Sequence, residues 1–294
     1  MKLGVIGGSG LYEMEGLRDV RPQVVETPFG APSDAYMCGR LGDREVFFLP
    51  RHGRGHRLLP SEINHRANIF GFKLLGVERI ISVSAVGSLK EQLRPRDIVL
   101  PDQYFDRTRK SEEHTFFGQG IVAHVAFGEP ACPELRQATV RVALKVIERL
   151  GLAGKVKVYE GGTYVNMEGP AFSTKAESNF YRRQGFDVIG MTSLPEAKLC
   201  REAEICYQAL AMVTDYDCWH ESEEPVTVEM ILSHLEANTR LAKEIVAELA
   251  LHLPEKRACA CGAALKHAIL TRSENMPPER KRALWPILQK YVDA

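Results

Sequence analysis

The stretch "VTDYDCW", residues 213–219, sets two carboxylates, Asp215 and Asp217, on either side of Tyr216 at the end of an apolar run. On extended backbone a spacing of two puts both side chains on one face. Mutual repulsion there pushes one pKa upward, the property a general acid needs at neutral pH. A divalent-metal pair, the cap of a following helix and an exposed acidic turn remain open on this spacing alone.

Three further stretches offer donors for an anion. Gly7-Gly8-Ser9-Gly10 follows the apolar run Leu3–Ile6; glycine lets successive backbone N–H groups turn inward, and Ser9 adds a hydroxyl. It is not a dinucleotide fingerprint, because Gly8 and Gly10 supply only the first two glycines and Glu13 stands at the third. Arg51 and His52 open the cationic loop "RHGRGHR" directly after an apolar strand. Arg51 carries a planar fork suited to phosphate oxygens, and His52 can donate one more hydrogen bond. Ser84 and Ala85, in "SVSAVGSL", supply a hydroxyl and an amide. No P-loop lysine motif is present, so the three loops together describe a pocket for one free phosphate rather than a nucleoside triphosphate. In "GMTSLPEAKLCREAEI", Met191 and Thr192 end a strand and Pro195-Glu196 open a helix, so Thr192 reads both as a cap and as a ligand.

These residues need a frame. The runs "LGVIG", "REVFFLP", "RIISVSAVGS", "RDIVLP", "FDVIGM" and "YQALAMVTDYD" carry the Val, Ile and Phe of buried strands and mostly end in Gly, Ser or Pro. Helical spacing predicts helices over 134–150, 194–206 and 227–252, and a last one over 278–291. This alternation predicts one α/β domain over 1–294, a central mixed sheet flanked by helices, with a C-terminal helical segment from about 265 packing near the active site or on a neighbouring subunit. The 38 basic and 38 acidic side chains balance, which gives no general pull on nucleic acid or membranes and favours a small substrate. No apolar run approaches a membrane span and the N-terminus lacks a signal-peptide pattern, so a cytoplasmic protein is expected. Seven cysteines, an odd and scattered set, are expected to be reduced and mostly buried. Cys259 and Cys261 form the one local pair. It could be a redox pair or half a metal site, but no second Cys/His pair follows at zinc spacing, and the expectation is chance proximity with no metal.

Taken in order, "GVIGGSGLY", "RHGRGH", "SAVGSL", "EGPAFST", "MTSLPEAKLCREAEI" and "TDYDCW" closely resemble the S-methyl-5′-thioadenosine phosphorylases of the trimeric purine nucleoside phosphorylase family, over roughly residues 1–250. The resemblance implies that phosphate attacks C1′ of 5′-methylthioadenosine, releasing adenine and 5-methylthioribose 1-phosphate in a homotrimer that needs no cofactor. It also implies that Ser9, Arg51, His52, Ser84, Ala85 and Thr192 hold phosphate. Met191 would lie under the ribose, Phe172 and Ser173 near the base, and Asp215 and Asp217 at the purine N7 and 6-amino group, with Asp215 the candidate acid. His124 and part of the C-terminal helix would reach a neighbour's site. Ser9 and Ser84 depart from relatives that often carry Thr, keeping the hydroxyl and losing a methyl. Relatives acting on 6-oxopurines usually carry Glu in place of Ser173, Asn in place of Asp215, and a 5′-hydroxyl-binding His in place of Val228. An Asp pair suits the 6-amino group of adenine, and an apolar residue at 228 suits a methylthio group. A 6-oxopurine or broad-specificity purine nucleoside phosphorylase is the nearest alternative, and a silent nucleoside-binding protein the more distant one.

Overall fold

The computed structural model describes residues 1–8, 10–220 and 228–293, with the side chains of 228–233 outside the description. Eleven strands form one mixed sheet: β1 (Lys2–Gly7), β2 (Arg18–Gln23), β3 (Tyr36–Leu41), β4 (Arg44–Pro50), β5 (Arg79–Ser88), β6 (Ile98–Leu100), β7 (Gln103–Arg107), β8 (Val158–Glu160), β9 (Thr163–Met167), β10 (Val188–Gly190) and β11 (Cys206–Asp215). The helices are α1 (His65–Leu74), α2 (Pro133–Arg149), α3 (Lys175–Arg183), α4 (Ser193–Glu202), α5 (Val228–His252), α6 (Pro278–Ala283) and α7 (Trp285–Leu288).

The central strands β4, β1, β5 and β11 run parallel, so their C-terminal ends open on the same side. β1 and β11 are buried along almost their whole length, as expected for parallel strands covered on both faces. Successive side chains alternate between two cores. Val5, Phe48, Ile81, Leu210 and Met212 meet α2 and α5; Ile6, Phe47, Leu49, Ile80, Tyr207 and Ala209 meet α1, α4 and the C-terminal segment. β5 is the hinge of the sheet: residues 79–82 pair with β1, residues 79–87 with β11, and its last two residues turn to pair antiparallel with β10. None of the helices, among the described residues, is long and apolar enough to cross a membrane.

Two expected helices are shorter than the periodicity suggests. The one predicted to end at residue 206 stops at Glu202, because Glu204 takes a positive φ of 58° that turns the chain straight into β11. The C-terminal one is split into α6 and α7 around Leu284, since Pro286 brings no N–H to a continuous helix. Leu284, Ile287 and Leu288 pack into the second core of their own chain.

Candidate active site

The end of β1 is laid against the end of β4, and the Arg51 amide donates to the Gly7 carbonyl at 2.9 Å. On the other side Ile6 pairs with Ser82, so Ser84 and Ala85 run on past the point where β1 stops. The glycine loop, Arg51 and the Ser84–Ala85 step therefore converge, as open α/β sheets arrange ligand sites at strand ends. Ser9 lies outside the described residues. The Ser84 hydroxyl is buried with no hydrogen-bond partner among the described residues, and so is the Tyr164 hydroxyl; orphaned polar atoms of this kind call for a ligand or water.

Arg51 itself is buried, and its guanidinium is held by Glu196 of α4. Nε donates to Glu196 Oε1 at 2.5 Å, Nη2 to Glu196 Oε2 at 3.4 Å and to Ser82 Oγ at 2.6 Å, and Nη1 to the Val83 carbonyl at 3.1 Å. Four of the five guanidinium N–H groups are thus engaged, leaving one on Nη1. The fork that the sequence suggests for phosphate faces a carboxylate instead. Glu196 also accepts from Ser82 Oγ at 2.6 Å and from the Tyr207 hydroxyl at 2.9 Å. Burial works to raise its pKa, but the charge and hydrogen bonds of Arg51 outweigh burial and hold it below the usual carboxylate range.

His52 differs from expectation in a similar way. Its Nδ1 lies 2.8 Å from the Leu58 carbonyl, so in the neutral ring that proton is committed within the loop, and the ring stacks on His56 at 4.3 Å. Burial, against the help of the Leu58 bond, lowers its pKa to about 4. The neutral side chain therefore has no second N–H to donate. His65, fully buried beside the Arg51–Glu196 pair, is lowered by burial to about 3.

Thr192 precedes α4, yet its side chain makes no capping hydrogen bond. The turn is held instead by the buried Asn166, whose Nδ2 donates to the Met191 carbonyl at 3.1 Å and whose Oδ1 accepts from the Leu194 amide at 2.9 Å. The Thr192 hydroxyl is left free of the capping role. Gly169 packs on Met191 from the facing loop: a Cβ there would sit 2.6 Å from Met191 Sδ, and its φ of +73° also requires glycine.

Asp215 ends β11 opposite Gly87 of β5. Its Oδ2 accepts from Thr214 Oγ1 at 2.8 Å and its Oδ1 from the Asp217 amide at 2.8 Å. Asp217 has a φ of +49°, the left-handed region that a non-glycine residue enters at a cost. Trp219 anchors the turn through Nε1 to the Ser88 carbonyl at 2.7 Å, with the Arg182 guanidinium 3.5 Å over its ring. Asp217 Oδ2 is buried without a hydrogen-bond partner among the described residues. Burial pushes the Asp217 carboxyl up, and the Asp215 charge adds a smaller push; the extended backbone that the spacing argument assumes ends at Asp215, and Asp217 lies in the turn beyond it. A Cβ at Gly87 would lie 3.1 Å from Asp215 Oδ1 and 3.3 Å from Asp217 Cβ, so this glycine lets the β5 backbone lie against both carboxylates.

Ser173 is next to this turn, its carbonyl accepting from Cys218 Sγ at 3.2 Å and its Oγ 3.6 Å from Met167 Sδ. Phe172 is 81% exposed in the single chain. His124 is exposed too, its amide donating to the Ala268 carbonyl at 2.8 Å; its recorded bonds tie it to the C-terminal segment and to none of the groups above. Val228 begins α5, and its side chain lies outside the described residues. Farther along α5, His234 Nδ1 lies 3.0 Å from the Thr214 carbonyl and Asn238 donates to the Val213 carbonyl, also at 3.0 Å. A groove of about 620 Å³ between α2 and α5 contains none of these groups.

Sequence reasoning passed over Glu196, Ser82, Tyr207, Asn166 and Gly87. Only Glu196 left a signal, a carboxylate beside Leu194 and Pro195 in the first turn of a helix; the others take their roles from partners distant in sequence.

The model of the phosphorylase superfamily matches residues 2–251. Over 290 residues the chain is 57% identical to the S-methyl-5′-thioadenosine phosphorylase of Koribacter versatilis, covering 99% of this chain and 96% of that one. It is 54% identical to the S-methyl-5′-thioadenosine phosphorylase of Geobacter sulfurreducens, with 99% of both chains covered. The crystal structure of a methylthioadenosine phosphorylase from an antarctic soil metagenomic library superposes with a TM-score of 0.91 at 45% identity, over 97% of this chain and 98% of that one.

Proposed function

This chain belongs to the phosphorylase superfamily, and on that footing we propose that its site performs the phosphorolysis of S-methyl-5′-thioadenosine to adenine and 5-methylthioribose 1-phosphate. It is a pentosyltransferase, as its relatives are. The observation that carries the assignment is the β5–β11 pair. Ser84 and Ala85 sit three and two residues before Gly87, which is in register with Asp215, a separation of ~7–10 Å along the strands. That distance suits a ribose with phosphate at one end and a purine N7 at the other.

In this reading inorganic phosphate, the co-substrate, is held by the glycine loop with Ser9, by the free Nη1 hydrogen of Arg51, by the Ser84 hydroxyl, the Ala85 amide and Thr192, with His52 lining the loop. Met191 supports the ribose. Departure of the base leaves cationic character at C1′ and negative charge on the purine, so phosphate below and a carboxylic acid at N7 stabilise the transition state more than the ground state. The raised carboxyl of Asp217 supplies the proton, and Asp215, whose two oxygens already accept hydrogen bonds, acts as the carboxylate that takes the 6-amino group. Ser173 and Phe172 border the base, and the apolar residue type at Val228 suits a methylthio group. No cofactor is needed, because the nucleophile and the acid are both supplied.

The active form in this reading is a homotrimer, in which His124 and the C-terminal segment complete a neighbour's site; the exposure of Phe172 and His124 in the single chain supports it. Seven free thiols suit a reducing, cytoplasmic setting. The test is release of adenine from 5′-methylthioadenosine with and without phosphate: strict dependence on phosphate, with 5-methylthioribose 1-phosphate as product, is expected. Release without phosphate indicates a nucleosidase, and no release indicates a silent binding protein.

A further inference from the structure

Four cysteines that no step above uses meet on the far side of the sheet. Cys132 caps the N-terminus of α2, Cys206 is the first residue of β11, and Cys259 and Cys261 flank the start of a short 3-10 helix over Ala260–Ala263. Their sulfur atoms all lie within 4.8 Å of one another, with Cys206 and Cys259 at 3.3 Å. Cys259 and Cys261, read alone in sequence as a chance pair, thus find two partners from elements distant along the chain.

We propose that Cys132, Cys206, Cys259 and Cys261 form a closed tetrathiolate site for a zinc-class divalent cation, which staples residues 258–261 onto the beginnings of α2 and β11. Tetrahedral zinc with Zn–S bonds of ~2.3 Å requires sulfur atoms ~3.8 Å apart, well inside the observed spread, whereas a disulfide needs a pair at ~2.05 Å and Cys206 and Cys259 stand 3.3 Å apart. The surroundings are those of a ligand shell. The Leu135 amide at the start of α2 points at Cys132 Sγ at 3.5 Å, and Arg257 Nη1 lies 3.9 Å from Cys206 Sγ. The Glu134 carboxylate accepts from the amides of Ala258 at 2.7 Å and Cys259 at 2.8 Å, fixing the turn that presents two of the ligands. The buried Arg79 guanidinium reaches the same Glu134 at 3.7 Å and balances that carboxylate, so Arg257 is the cation set beside the sulfurs. With four protein ligands the site has no open position, so its role is structural. Binding is balanced by loss of each ligand's S–H proton to solvent, and metal uptake therefore acidifies a weakly buffered solution.

The test uses the full-length protein, purified without a metal-binding tag under reducing conditions. Elemental analysis should find about one zinc per chain. Cobalt(II) added to chelator-treated protein should give thiolate charge-transfer bands in the near ultraviolet and intense visible d–d bands of a tetrahedral centre. Cys259→Ser combined with Cys261→Ser should lose both the metal and the bands, Cys38→Ser neither, and chelation should lower the unfolding temperature of the wild-type protein and of Cys38→Ser but not of the double variant. If the double variant does not fold, the wild-type cobalt spectrum still decides. Metal-free protein that also refuses zinc and cobalt under reducing conditions overturns the proposal. So does a metal-free chain that shows fewer than the seven free thiols of the sequence when denatured without reductant, which identifies a disulfide instead.

Discussion

Arg51 and Glu196 meet in a two-pronged contact, Nε to Oε1 at 2.5 Å and Nη2 to Oε2 at 3.4 Å, with both side chains withdrawn from solvent. The pair fixes the plane of the guanidinium and, among the described residues, leaves one N–H of Nη1 without an acceptor, so Glu196 sets the direction in which Arg51 can meet an anion. Breaking a buried pair by removing one charge strands the other, at a cost of about 3–5 kcal/mol.

Glu196→Gln is therefore expected to lower the urea unfolding free energy by about that amount and to raise the KM for phosphate more than the KM for the nucleoside. The acid side carries a second signature. The folded pKa of Glu196 is depressed, so its contribution is present above the unfolded carboxylate pKa and is lost as pH falls through the lower folded value; the variant should lack that loss. A stability change below about 1 kcal/mol with an unaltered phosphate KM contradicts the orienting role.

His52 and His65 make a pH prediction of the same sign in a higher window. Burial lowers their folded pKa values to about 4 and about 3, below the unfolded value of about 6.5. Between those limits the unfolded chain binds more protons, so stability rises with pH across the window, is fully present above about 6.5 and declines as pH falls. His52→Gln should flatten part of this slope, and the ring-proton NMR titration of His52 should have its midpoint near 4. A midpoint near 6.5 sinks the prediction.

Asp215→Asn tests how the base edge is read. An amide can donate to a 6-carbonyl, whereas a carboxylate only accepts. Turnover of 5′-methylthioadenosine should fall by about 10–100-fold, the loss of one acceptor at the 6-amino group, while methylthioinosine turnover falls less or rises. Adding Ser173→Glu should extend the switch. Equal losses for the two nucleosides show that Asp215 does not contact the 6-position.

His124→Ala tests the trimer. In the single chain His124 is exposed and bonded only toward the C-terminal segment, so a role in nucleoside binding requires a neighbour. Sedimentation should give a trimer, and the variant should raise the KM for nucleoside while leaving that for phosphate nearly unchanged. A fully active monomer excludes this role.

The sequence by itself determined the strands that carry the site. The apolar runs ending in Gly7, Pro50 and Ser88 correspond to β1, β4 and β5, and the run ending in Asp217 to β11, which stops two residues earlier at Asp215, because a strand buried on both faces leaves a continuous apolar signature that needs no knowledge of its neighbours. β2 escaped notice since every one of its residues is exposed and it leaves no such pattern. The chemistry was legible as residue types: hydroxyl, guanidinium and paired carboxylates at strand ends. Tertiary structure decided how those groups are used. It turned the Arg51 fork toward Glu196, 145 residues away, committed the His52 proton to Leu58, and raised Asp217 within the acidic pair. It also gathered Cys132 and Cys206 around Cys259 and Cys261. Hydrogen-bond partners, burial and ligand shells are properties of distances in space, and the spacing of residues along the chain constrains those distances only within a single strand or helix.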